Sequence, residues 1–156
     1  MDRLSTTGKA IRTAKWATTM TRWRIGFEVG GRAVGKTGVK RPRRWQLVGF
    51  PGPGGRESSG IVDLIAIRKN HATPNGSFKR GDLFEIILIQ IKGGGARHPT
   101  VEDIQRLHAV AKYYHAQDVV LAEWVKATRL QFYRLRKNHR IPRSAWEKVD
   151  PGEIFC

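Results

Sequence analysis

Cysteine is almost missing from this chain: its 156 residues include one, Cys156. A single thiol excludes an intrachain disulfide and a cysteine-built metal site, and it fits a reducing compartment. No apolar run comes near the ~18 residues that a membrane-spanning helix needs, and the first residues lack the apolar core of a secretory signal. The expectation is a cytoplasmic protein with no membrane partner. The five histidines lack the paired spacing of a zinc site. Acids are also scarce: 13 Asp+Glu stand against 29 Lys+Arg, a net charge of +16.

That imbalance implies a polyanionic partner, nucleic acid before an anionic surface. It is unevenly spread. Residues 1–56 hold 13 Lys+Arg and only two acids, Asp2 and Glu28, so +11 falls on about a third of the chain. The composition predicts one domain with a basic N-terminal helix (about 7–24) and mobile arm over 1–44, a core over 45–138 and a C-terminal tail over 139–156. Lys36, Lys40, Arg41, Arg43, Arg44 and Arg56 are the expected nucleic-acid-binding residues. Trp16, Trp23 and Trp45 lie among basic residues, where they can stack on bases or pack the core.

Within the arm, "GGRAVGKTG" carries Gly30, Gly35, Lys36 and Thr37 at the spacing of a phosphate-cradling nucleotide loop. Its surroundings speak against that function. Gly38 and Pro42 break any helix that should follow, the preceding "TRWRIGFEV" is too charged for a buried strand, and no later strand ends in a metal-holding Asp. A Gly/Lys-rich segment that meets a polyanion is the simpler reading.

The core alternates in period. "WQLVGF" (45–50), "IVDLIAIR" (61–68), "LFEIILIQIK" (83–92), "DVVLAEW" (118–124) and "LQFYRL" (130–135) read as strands. The turn-rich linker 69–82 predicts that the second and third pair as a hairpin. Thr100, with Asp103 three residues on, marks the start of a helix running to about Ala116, with Val101, Ile104, Leu107, Ala111 and Tyr114 on one stripe. The order α-β-β-β-α-β-β predicts an α/β fold, a mixed central sheet flanked by helices.

Polar residues interrupt the two most apolar strands at informative places. Gln90 and Lys92 end "LFEIILIQIK" two residues apart and so share a face, and Asp63 stands near the start of "IVDLIAIR". Antiparallel pairing brings all three to one edge of the sheet. Mg²⁺ takes a few protein oxygens plus water and phosphate oxygens. Asp63 and Gln90 offer two, the Ile91 carbonyl offers a third, and Lys92 offsets phosphate charge and positions or deprotonates the attacking water.

"GIVDLIA" followed 27 residues after its Asp by "ILIQIK" resembles the PD-(D/E)xK nuclease superfamily, in particular its restriction-endonuclease-like and archaeal Holliday junction resolvase-like members. The resemblance covers about residues 57–135. It implies an αβββαβ core and Mg²⁺- or Mn²⁺-dependent hydrolysis of phosphodiester bonds in duplex or branched DNA, with a homodimer left open. Asp63 matches the metal-binding Asp, Gln90 the second acidic position and Lys92 the catalytic lysine. Val62 stands where the family has Pro, and Gln90 where it has Asp or Glu, which removes one charge from the metal site. Some members carry Gln there too. A further acid often comes from the first helix; Glu57, in the loop entering the Asp63 strand, is favoured here over Glu28. His98 reads as a loop residue, and Gln105 and Arg106 as helix residues that can face a nucleic-acid backbone. Two rivals remain: a non-catalytic nucleic-acid-binding module of the same fold, and a basic RNA-binding protein.

Overall fold

The computed structural model describes residues 45–49, 60–92, 97–125, 129–138 and 142–155. The expected arm, the phosphate-loop motif, Trp16, Trp23, Glu28, Glu57 and all six expected nucleic-acid-binding residues lie outside them.

Sheet formation starts from the longest apolar run. It becomes strand β3 (Phe84–Lys92), which pairs antiparallel with β2 (Leu64–Lys69) and parallel with β4 (Asp118–Val125). An apolar strand with neighbours on both sides must be covered on both faces, and β3 is. Strands β1 (Gln46–Gly49), β5 (Arg129–Leu135) and β6 (Trp146–Val149) extend the sheet, which keeps sequence order, β1-β2-β3-β4-β5-β6. The β3–β4 contact is its one parallel junction among the described strands. Helix α1 (Val101–Tyr113) makes that crossover, and α2 (Pro151–Phe155) closes the described chain. The order from β1 to β4 is the strand–strand–strand–helix–strand order that the resemblance implies; the helix expected ahead of it is not among the described residues. No described helix is long and apolar enough to cross a membrane.

Two apolar clusters sandwich the sheet. On one face Leu88, Val119, Leu121, Leu135 and Trp146 pack against Ile104 and Leu107 of α1. On the other, Ile87, Ile89, Ile91 and Phe132 pack against Trp45, Ile154 and Phe155. Trp45 is therefore a core residue rather than a base-stacking one. Its indole N–H donates to the Phe155 carbonyl at 3.1 Å, and the Arg68 guanidinium lies over its ring, 4.1 Å from the centroid.

Four expectations need correction. Strand β2 starts at Leu64, not Ile61, because the Asp63 carboxylate takes the Ile91 N–H that a strand partner's carbonyl would otherwise take. Helix α1 ends at Tyr113, where the chain turns through His115 at φ 52°. Val101 and Tyr114, expected on its apolar stripe, are 48% and 54% exposed, and Val110 packs instead. Finally, the core does not stop at 138: residues expected as a tail supply β6 and α2.

Candidate active site

The polar edge forms where β2 and β3 meet. Leu64 pairs with Ile89 and Ile65 with Leu88, and Asp63 immediately precedes the first paired residue. Alternation along β3 places Gln90 and Lys92 on the face of Leu88, the one that α1 covers. Backbone and side chain together fix Asp63: its N–H donates to the Ile89 carbonyl at 3.0 Å, and its Oδ2 accepts the Ile91 N–H at 2.6 Å.

Gln90 is the anomaly. It is 6% exposed, the one polar residue in the fully buried set among the described residues, and its Oε1 has no hydrogen-bond partner. An unsatisfied buried carbonyl costs about 1–3 kcal/mol. An oxygen left in that state, one residue from the amide that holds Asp63 and two from Lys92, fits a cation-binding role. Asp63 and Gln90 are thus the described side chains that would hold a divalent ion. Among the described residues no three His, Cys, Asp or Glu side chains gather as a metal cage, so any such shell takes the amide, water and substrate oxygens as well.

Lys92 is half-buried at the end of β3. The first turn of α1 stands near it. Asp103 completes a capping box with Thr100, accepting the Thr100 N–H at 3.0 Å and returning its own N–H to Thr100 Oγ1 at 3.2 Å. The Thr100 backbone bond holds the Asp103 carboxyl below its ordinary range against the opposing effect of burial, with smaller help from the Thr100 hydroxyl and from the charges of Lys92 and Arg106.

Sequence reasoning missed the other flank. Across the parallel junction Lys92 pairs with Glu123, and Glu123 pairs in turn with Gln131. The Glu123 carboxylate, 22% exposed, lies 3.5 Å from His98 Nε2. The Tyr133 hydroxyl donates to Gln131 Oε1 at 2.7 Å, and burial first, then the nearby Glu123 charge, raises its pKa. His98, read as a plain loop residue, is part of this network. The polar position inside "DVVLAEW" was the available signal for Glu123. Arg106 stays at the site end of α1, 3.8 Å from Asp103, and Gln105 is exposed; Tyr114 is at the far end of the helix.

No known protein family matches the chain, and no curated protein matches it. Among solved structures it is similar to a Holliday junction resolvase from the archaeal hyperthermophile Archaeoglobus fulgidus, at 14% identity and a TM-score of 0.38, over 70% of this chain and 88% of that one. So distant a likeness leaves the functional reading to the side chains themselves.

Proposed function

We propose that the chain is a nuclease that hydrolyses DNA phosphodiester bonds with Mg²⁺ or Mn²⁺, and that Asp63, Gln90 and Lys92 form its reactive centre. The observation that carries this reading is the buried, partnerless Gln90 Oε1, one residue from the Ile91 N–H that the Asp63 carboxylate accepts and on the strand that ends in Lys92. The net charge of +16 supports a polyanionic substrate.

Asp63 and Gln90 would hold the divalent ion, which when bound supplies Lewis-acid polarisation of a phosphate oxygen. The Ile91 N–H keeps the Asp63 carboxylate turned to the β3 edge. Apolar packing on both faces of β3 fixes the Gln90 side chain where bulk water cannot satisfy it. The Lys92 ammonium balances charge that develops on the phosphate and positions the attacking water. Glu57 would complete the shell, and the basic residues between 36 and 56 would hold the DNA backbone.

The neutral amide favours one rival, a DNA-binding module that kept the fold and lost the second carboxylate. Cleavage of single-stranded, duplex and branched DNA with Mn²⁺ and with EDTA separates the two. The expected result is Mn²⁺-dependent cleavage that Gln90→Glu strengthens and Gln90→Ala weakens at limiting metal. Lys92→Ala should abolish it at every metal concentration, because saturating the ion does not restore the lost transition-state charge. Binding without cleavage under all conditions would establish the rival.

A further inference from the structure

Hydrolysis of a phosphodiester needs two proton events: the attacking water loses one, and the leaving sugar oxygen gains one. Asp63 lies on the β2 side of β3, the strand that carries both Gln90 and Lys92. On its β4 side stand Glu123, on the neighbouring strand about 4.8 Å away, then Tyr133 on β5, with His98 in the loop ahead of α1. Of these groups, imidazole is the side chain most often used as a general acid or base. Its Nε2 is turned to the Glu123 carboxylate at 3.5 Å, which leaves Nδ1 for a substrate. The Tyr133 ring meets the imidazole edge-on, with centroids 6.2 Å apart at 76°. Glu123 is in turn flanked by Gln131, to which Tyr133 donates. An imidazole that is 56% exposed yet held on two sides is oriented and still reachable from solution.

We propose that His98, positioned by Glu123 and Tyr133, is the general acid that protonates the leaving oxygen, on the flank of β3 opposite Asp63. The proposal rests on the nuclease reading. The water oxygen bonds to phosphorus as the phosphorus–oxygen ester bond breaks. That bond's electron pair stays on the leaving oxygen, which takes the Nδ1 proton of the His98 imidazolium. The proton shed by the attacking water passes to solvent, and solvent reprotonates His98 after product departs. Glu123 faces the Nε2 side of the ring and orients it. Glu123 is a positioning residue, since it acts through His98.

The test compares two DNA substrates cleaved at one mapped position. One has the natural bridging oxygen there; the other has a bridging sulfur, whose thiolate leaves without a proton. His98→Ala is expected to lose roughly 10²–10⁴-fold on the oxygen ester, the range of general acid–base catalysis, and to cleave the sulfur ester at nearly the parent rate. Glu123→Gln should show the same selectivity with a smaller loss. Lys92→Ala should be slow on both. Thermal melts of His98→Ala and His98→Gln check that the folded protein is being compared. Equal losses of His98→Ala on the two esters, or no loss on the oxygen ester, overturn the proposal while parent cleavage leaves the nuclease reading standing. A parent that cleaves neither substrate overturns both.

Discussion

Gln90 is the residue at which local chemistry and surroundings conflict. A buried carbonyl with no partner is a standing cost in the metal-free protein, so replacing it by an apolar side chain of similar length should relieve it. Gln90→Met is expected to melt at or above the parent temperature in EDTA. With Mn²⁺ the parent should gain stability by mass action and Gln90→Met should not; calorimetric melts with and without the ion measure both. A large loss for Gln90→Met in EDTA would mean that the amide is satisfied in the apo protein. Asp103 provides a pH-dependent counterpart. Its folded pKa lies below its unfolded one, so its contribution is fully present above the unfolded pKa and is lost as pH falls through the folded value. The stability difference between parent and Asp103→Asn should therefore be greatest near neutral pH and shrink in acid, read from thermal melts across that range. The antiparallel pairing of β2 with β3, on which the reading of Asp63, Gln90 and Lys92 rests, was legible because period-two alternation and one turn-rich linker announce a hairpin. Glu123 was not, because its pairing with Lys92 depends on a parallel register set by the whole β3–α1–β4 crossover, which no local pattern encodes.

Among the elements, α2 is the most dependent on its neighbours. Five residues are too few for a helix to hold itself in water, and Phe155 anchors it by edge-to-face contacts with Trp45 and Phe132, each at 6.2 Å between centroids. Phe155→Ala should cost about 3–5 kcal/mol, seen as a lower denaturant midpoint with an unchanged slope. This element and β6 escaped sequence reading for a physical reason. "WEKV" has four residues and sits at the sheet edge, with exposed Glu147 and Lys148 between its inward ends. That is too short a stretch to show a period. By contrast β3 declared itself by nine mostly apolar residues, and α1 by a capping box whose two reciprocal bonds are both present. Helix length was overread because Tyr114 continues the spacing of the apolar stripe, although at that point the chain has turned away from the sheet.

At the scale of the molecule, positive charge and candidate chemistry are separated along the chain. Residues 1–56 carry 13 of the 29 basic residues with only two acids, and the reactive side chains follow from Asp63 onward. Binding to duplex DNA should weaken with salt at a log–log slope of roughly −0.9 per phosphate contact. Deleting residues 1–44 should flatten that slope more than any single substitution in the sheet or α1; titrations at several salt concentrations measure it, and an unchanged slope would move the binding surface into the core. The single parallel junction has a different consequence. Before it, β1, β2 and β3 form one antiparallel meander with Asp63, Gln90 and Lys92; after it, β4, β5 and β6 form another with Glu123 and Tyr133, led by α1 and His98. A chain cut between Gly94 and Gly95 thus yields two pieces, each with three sequence-adjacent strands and half of the polar row. Co-expressed, fragments 1–94 and 95–156 should copurify in equal amounts and cleave DNA, while either alone should not. The protein would then work as a split reporter, in which strand-to-strand reassembly switches on a measurable reaction.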